Sequence, residues 1–176
     1  MADKTDFIHD FSRILVENKS ITEKRARGLE QAFEQSRSDQ FIFFVQEEGL
    51  VEKEDLLKAL AVYYQAESFG VEGYFFDNFL LRKFPKDFLL RKGVIPLRVD
   101  ENMLILVASD PSDALLPVLI NQYVSYNIQF MVGLKKDIID AVQEFYDESL
   151  TEGYEEQEES DERSDDITEI IGEDEE

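Results

Sequence analysis

Apolar and polar positions change period along this chain, and the clearest change lies at 94–111, VIPLRVDENMLILVASDP. Two apolar runs, Val94–Val99 and Met103–Ala108, flank a polar turn at Asp100, Glu101 and Asn102. Short β-rich runs bounded by Asp and Asn predict a β-hairpin. The second run is apolar at nearly every position, so it predicts a strand buried on both faces, with helices over both sides of the sheet. It stops at Asp110–Pro111, because proline has no N–H to give to a ladder.

Residues 6–65 instead carry a helical period. Phe7, Phe11, Ile14 and Leu15 fall at i, i+4, i+7 and i+8, one apolar stripe. Ser20 or Thr22 can cap a second helix, with Ser20 and Glu23 at capping-box spacing. Its apolar face is Ala26, Leu29 and Phe33, and Gly28 inside it costs about 1 kcal/mol against Ala. The pattern returns thirty residues later. Phe11 matches Phe41, Ile14 matches Phe44, Leu15 matches Val45 and Ile21 matches Val51. Ala26 then matches Leu56, Leu29 matches Ala59 and Phe33 matches Tyr63. This predicts a duplicated helix–turn–helix unit whose copies stack to share one core.

Residues 66–83 form a connector rich in rings: Phe69, Tyr74, Phe75, Phe76 and Phe79. Gly70 and Gly73 break any helix there. Much of it is expected to lie across the body, since so many exposed rings invite aggregation. Pro85 suits the first turn of a helix, Phe88, Leu89 and Leu90 are its inward candidates, and Gly93 ends it as C′. After the hairpin, a helix is predicted over roughly 114–124. Pro117 must sit in its first turn, which makes Asp113 the N-cap candidate. Ile128–Val132 is a third strand, joined to the second by a right-handed crossover. Asp137–Tyr146 is a closing helix with Ile138, Ile139, Val142 and Phe145 inward. The predicted class is α+β. It has a helical subdomain at 1–65, the connector at 66–83, an α-β-β-α-β-α subdomain with a three-stranded sheet at 84–146, and a tail at 147–176.

Charge changes the picture at that tail. The chain of 176 residues has a formal charge of −22 and is 43% hydrophobic. Residues 147–176 hold sixteen acids against the single base Arg163, leaving 24 acids and 17 bases elsewhere. Such a tail cannot bury a core and has a disordered composition. Ile167, Ile170 and Ile171 interrupt it, as a short docking motif, as a helical turn that folds on contact, or simply as part of a solvated tail. The acidic balance repels nucleic acid and anionic lipid and favours basic partner surfaces.

Candidate chemistry is sparse. With no cysteine there is no disulfide and no thiolate site. No phosphate loop, GxGxxG or GxSxG occurs. The lone His9 has no partners for general-base or metal work. Pairs such as Glu47–Glu48 and Glu54–Asp55 read as solvated helix surface. Neither catalysis nor a cofactor is expected. The opening residues show no signal-peptide pattern, and no apolar run nears the ~20 residues of a membrane helix. The expected location is the cytoplasm, with no direct membrane insertion.

Phe84–Pro85, then Gly93–Val94–Ile95–Pro96–Leu97, then Leu104–Ile105–Leu106–Val107–Ala108–Ser109–Asp110–Pro111 carry a resemblance. Ile128–Val132 and the run from Asp137 through Ala141 and Val142 to Phe145–Tyr146 continue it. Over roughly 8–146 the chain resembles the N-terminal domain of type II secretion and type IV pilus assembly ATPases. The resemblance implies a domain that docks the motor onto an inner-membrane platform protein, with an acidic linker behind it. The ATPase would act in cis or in trans. An excised domain and a stand-alone adaptor with an acidic docking tail both fit.

In one branch of that family the duplicated unit binds cyclic di-GMP. Each copy there begins Arg-Leu-Gly, carries Leu-Val-x-x-Gly-x-Ile and ends Leu-x-x-Ala-Leu-x-x-Gln. Here Leu15, Val16 and Ile21 match in the first copy. Gly49, Leu56, Ala59 and Leu60 match in the second, with Val51 in place of Ile. Asp10–Phe11–Ser12 and Gln40–Phe41–Ile42 stand where Arg-Leu-Gly would be. Lys19 replaces Gly, and Phe33 and Tyr63 replace the two Gln. The losses are the polar ones: an arginine would grip phosphate bidentately, whereas an acid at position 10 repels it. A nucleotide-sensing module is thus the alternative reading, with weak or no cyclic di-GMP binding expected.

Overall fold

The computed structural model describes residues 4–35 and 40–147. The tail beyond 147, with the expectations placed on it, lies outside them. Four helices come first: α1 (Lys4–Glu17), α2 (Glu23–Glu34), α3 (Phe41–Glu47) and α4 (Lys53–Tyr64). There follow α5 (Asn78–Leu81), α6 (Lys86–Lys92), β1 (Val94–Asp100), β2 (Met103–Ala108), α7 (Leu116–Ile120) and β3 (Asn127–Val132). A helix at 135–147, here α8, closes the described chain. The α+β class is as the sequence predicts.

The duplication is geometric as well as sequential. α2 and α4 have the same bounds when shifted by thirty residues. The turns before them repeat bond for bond. Asn18 N donates to Ile14 O, Lys19 N to Val16 O and Ser20 N to Leu15 O; Glu48 to Phe44, Gly49 to Gln46 and Leu50 to Val45 do the same. Phe11, Leu15, Leu29, Phe41, Val45, Leu56 and Ala59 are all buried in one cluster. Thr22 is the N-cap of α2, its Oγ1 accepting from Arg25 N at 3.3 Å.

The sheet has order β1-β2-β3. β1 and β2 pair antiparallel from Val94↔Ala108 to Asp100↔Met103, and Leu97 is bulged out between Pro96 and Arg98. That is where proline removes a donor. β2 and β3 pair parallel from Met103↔Asn127 to Ala108↔Val132. Leu104 through Ala108 are buried, so both faces of β2 are covered. Phe84, Phe88, Leu116, Ile120, Ile138 and Val142 join them in the second core. α6 begins after Pro85 and ends at Gly93 with φ +59°, as expected.

Two expectations need correction. The helix after β2 is not 114–124 but the five residues of α7, with Leu115 rather than Asp113 at its N-cap. Asp113 as N-cap would have put Pro117 fourth in the helix, where its missing N–H should bond Asp113 O. Instead Asp113 Oδ1 accepts from Leu115 N at 3.0 Å, in a turn ahead of the helix. The connector is not helix-free, since it contains α5. Much of it does lie on the body, with Val71, Leu80 and Leu81 buried and Phe69 and Phe76 packed against the core, while Phe75 and Phe79 are 97% and 84% exposed. The connector also adds a single bridge to the sheet, Ser68 beside Val132.

Candidate functional site

A cleft of about 420 Å³ opens where the start of α4, the connector and α8 meet. Its floor is polar. Asp137, only 7% exposed, accepts from Gln46 Nε2 at 2.7 Å and pairs with Lys53 Nζ at 3.2 Å. Lys53 also donates to Glu72 Oε2 at 2.7 Å. The hydrogen bond from Glu72 raises the Lys53 pKa above its ordinary value, burial opposes this, and Asp137 adds to the rise. A charge as buried as Asp137 is tolerable only when paired and hydrogen-bonded, so this network is structural glue before it is anything else. Asp140 and Glu144, one helical turn apart on α8, continue the acidic wall.

The rim is aromatic. Gly73, at φ +72°, turns the chain, and Tyr74 N donates back to Val71 O at 3.2 Å. Tyr74 meets Phe69 and Phe76 edge-on at 5.3 and 4.9 Å. Between those anchored rings Phe75 stands in solvent. Two residues on, Asp77 caps α5 by accepting from Phe79 N and Leu80 N at 2.9 and 3.2 Å. Leu80 and Leu81 are buried while Phe79 faces out. Both exposed rings are therefore carried on backbone held from each side. Covering such a ring is worth about 1.5–3 kcal/mol.

The residues matching the nucleotide motif lie elsewhere. Leu15, Ile21, Leu56, Ala59 and Leu60 are buried in the helical core, and Val16 packs against it. Gly49 sits exposed in the α3–α4 turn at φ +61°. At the positions of the lost Arg-Leu-Gly, Asp10 pairs with Arg13 at 3.1 Å. Ser12 is 2% exposed, its Oγ without a partner among the described residues. Gln40, Phe41 and Ile42 line a separate hollow of about 260 Å³ with Phe7, Ile8 and Tyr64. Sequence reasoning missed Asp137 as a buried polar centre, because its partner Gln46 is 91 residues away. The only available signal was an acid at the start of an otherwise apolar helical face.

Among the described residues no His, Cys, Asp or Glu gather as a metal-holding group. No described helix is long and apolar enough to cross a membrane.

The MshEN domain model matches residues 77–152. A structure of MshE with cdg shares 19% identity at a TM-score of 0.58, covering 77% of this chain and 98% of that one. A structure of the N-terminal domain of XpsE shares 16% identity at 0.53, covering 77% and 92%. No curated protein matches the chain in sequence. The resemblance carried by the hairpin residues thus holds: residues 77–152 match the MshEN domain, and the described fold is similar to those of MshE and of the N-terminal domain of XpsE.

Proposed function

We propose that this chain is a non-catalytic interaction module of a type II secretion or type IV pilus motor. It docks an ATPase, joined in cis or in trans, to an inner-membrane platform protein on the cytoplasmic side. The observation that carries this reading is the pair of exposed rings, Phe75 and Phe79, on an anchored connector. Rings held out in this way mark binding surfaces on otherwise well-packed domains. The test is capture of the cytoplasmic domains of platform proteins by the immobilised chain. Capture that weakens in the Phe75→Ala, Phe79→Ala variant supports the reading, and recovery of no platform protein overturns it.

A second reading, cyclic di-GMP sensing, draws support from the MshE structure with cdg, whose fold this chain shares. Both motif turns also keep their left-handed residue, at Lys19 and Gly49. Against it, the retained motif side chains are the buried apolar ones, which the core needs in any case. An acid also stands at position 10, where arginine would meet phosphate. Melting in cyclic di-GMP decides: ligand at 100 times its dissociation constant adds about 2.7 kcal/mol. We expect no shift, and titration calorimetry giving a low-micromolar dissociation constant would reverse that expectation.

A further inference from the structure

We infer that the cleft between the connector and α8 receives a basic, amphipathic segment of a partner protein. Its apolar side would meet Phe75, and its Lys or Arg side chains would meet Glu144 and Asp140. This rests on the docking reading and specifies its surface and chemistry.

Three observations on different elements converge. First, the rim presents an exposed aromatic ring. Phe75 is 97% exposed, yet Tyr74 and Phe76 on either side are fixed by edge-on ring contacts, so the ring projects over the cleft at small entropic cost on binding. Phe76, Ala141 and Phe145 supply apolar wall behind it. Second, the charge on the cleft is one-sided. Glu72, Asp137, Asp140 and Glu144 face one cation, Lys53, which is already engaged by Glu72 and Asp137. Asp140 has Lys136 at 2.9 Å, but Glu144 is exposed and has no ion pair among the described residues. Third, α8 leads straight into the acidic tail. Fifteen more acids follow Asp147, and the run starts within one helical turn of Glu144. The potential around this end of the molecule is strongly negative. It speeds a cationic partner and turns away an anionic one. A guanidinium or ammonium beside the Phe75 face gains from the ring quadrupole as well as from the carboxylates, which a neutral apolar segment cannot do.

The experiment uses the full chain and two labelled synthetic peptides of ~18 residues. Both have the same Leu/Phe stripe at helical spacing, one with Lys and Arg on its polar face and one with Glu. Fluorescence anisotropy at low and high salt measures binding, and amide chemical-shift mapping locates it. The basic peptide should bind and the acidic one should not, with shifts centred on Gly73–Phe76 and Ala141–Phe145. Phe75→Ala should weaken binding about tenfold. Glu144→Lys should weaken it by a similar factor at low salt and less at high salt. Both side chains are exposed, so neither change should move the melting temperature. A peptide held merely by the tail would be indifferent to Phe75→Ala, and that indifference overturns the inference. Shifts mapping to another face also overturn it. If a platform protein is captured while neither peptide binds, the docking reading stands and this inference falls. If the basic peptide binds through Phe75 while no platform protein is captured, the inference stands and the docking reading falls.

Discussion

Lys19 and Gly49 share one backbone conformation, φ +61° in both, at equivalent turns of two helix pairs thirty residues apart. A side chain pays roughly 1–2 kcal/mol to sit there, and glycine does not. Lys19→Gly should therefore stabilise the chain by about 1 kcal/mol, once the greater freedom of glycine in the unfolded chain is deducted. Gly49→Ala should destabilise it by a similar amount. A Cβ at 49 would meet nothing within 4 Å, so that loss is backbone alone. Urea midpoints of the two variants against wild type check both signs.

Gly133 is constrained by space rather than by φ. A Cβ there would lie 2.5 Å from Val107 Cγ1 and 3.2 Å from Phe69 O. Val107 is fully buried in β2 and has a stiff χ1. Gly133→Ala should cost about 1–3 kcal/mol, the usual range for overpacking. A drop of several degrees in melting temperature is the expected readout, and an unchanged melt would show that the strand gives way cheaply.

The Gln46–Asp137–Lys53 network predicts a coupled loss. Asp137→Ala strands the Gln46 amide and frees Lys53, which is 45% exposed and can rehydrate. The expected cost is about 1–3 kcal/mol. Lys53→Met leaves Asp137 buried with only Gln46, and should also destabilise. The double variant should lose less than the two singles added together, because both cut the same contact. Strict additivity in a denaturant cycle would mean that the pair contributes nothing.

Alkaline pH should unfold the chain early. Burial raises the phenol pKa of Tyr63, Tyr64 and Tyr146, most strongly at Tyr64, and hydrogen bonding to Glu72 leads the rise at Lys53. Each group holds its proton more tightly folded than unfolded. Their stability is thus complete below the ordinary values of 10.0 for tyrosine and 10.5 for lysine, and is lost as pH climbs through the raised folded values. Melting temperature should be flat in these groups from pH 7 to about 9.5 and fall above 10. Tyr64→Phe should flatten part of that fall.

What the sequence made legible was local. The hairpin, the thirty-residue repeat, the Gly93 stop and the inward faces of α1, α2 and α4 all follow from spacing within one or two turns. The α7 start failed because a good cap at Asp113 conflicted with Pro117, and the proline dominated. Which rings of the connector stay outside was not legible, because Phe75 and Phe79 differ from Phe69 and Phe76 only in what the folded neighbours leave uncovered. Asp137 was illegible for a different reason. Its partners Gln46 and Lys53 come from the other half of the chain, and no window along the sequence contains them together. The motif match at Leu15, Ile21, Leu56, Ala59 and Leu60 was easy to read because the core demands those residues, so it says little about a ligand.

β3 is a party wall. Phe130 and Met131 pack with the sheet core, while Val132 and Leu134 belong to the helical one. Val132 exchanges two backbone hydrogen bonds with the connector, at 2.9 Å to Phe69 and 2.8 Å to Glu67. Neither half can release this strand without opening the other's interior to water. Heat should therefore take both cores apart in one transition, and the amide of Val132 should be among the last to exchange its hydrogen for deuterium.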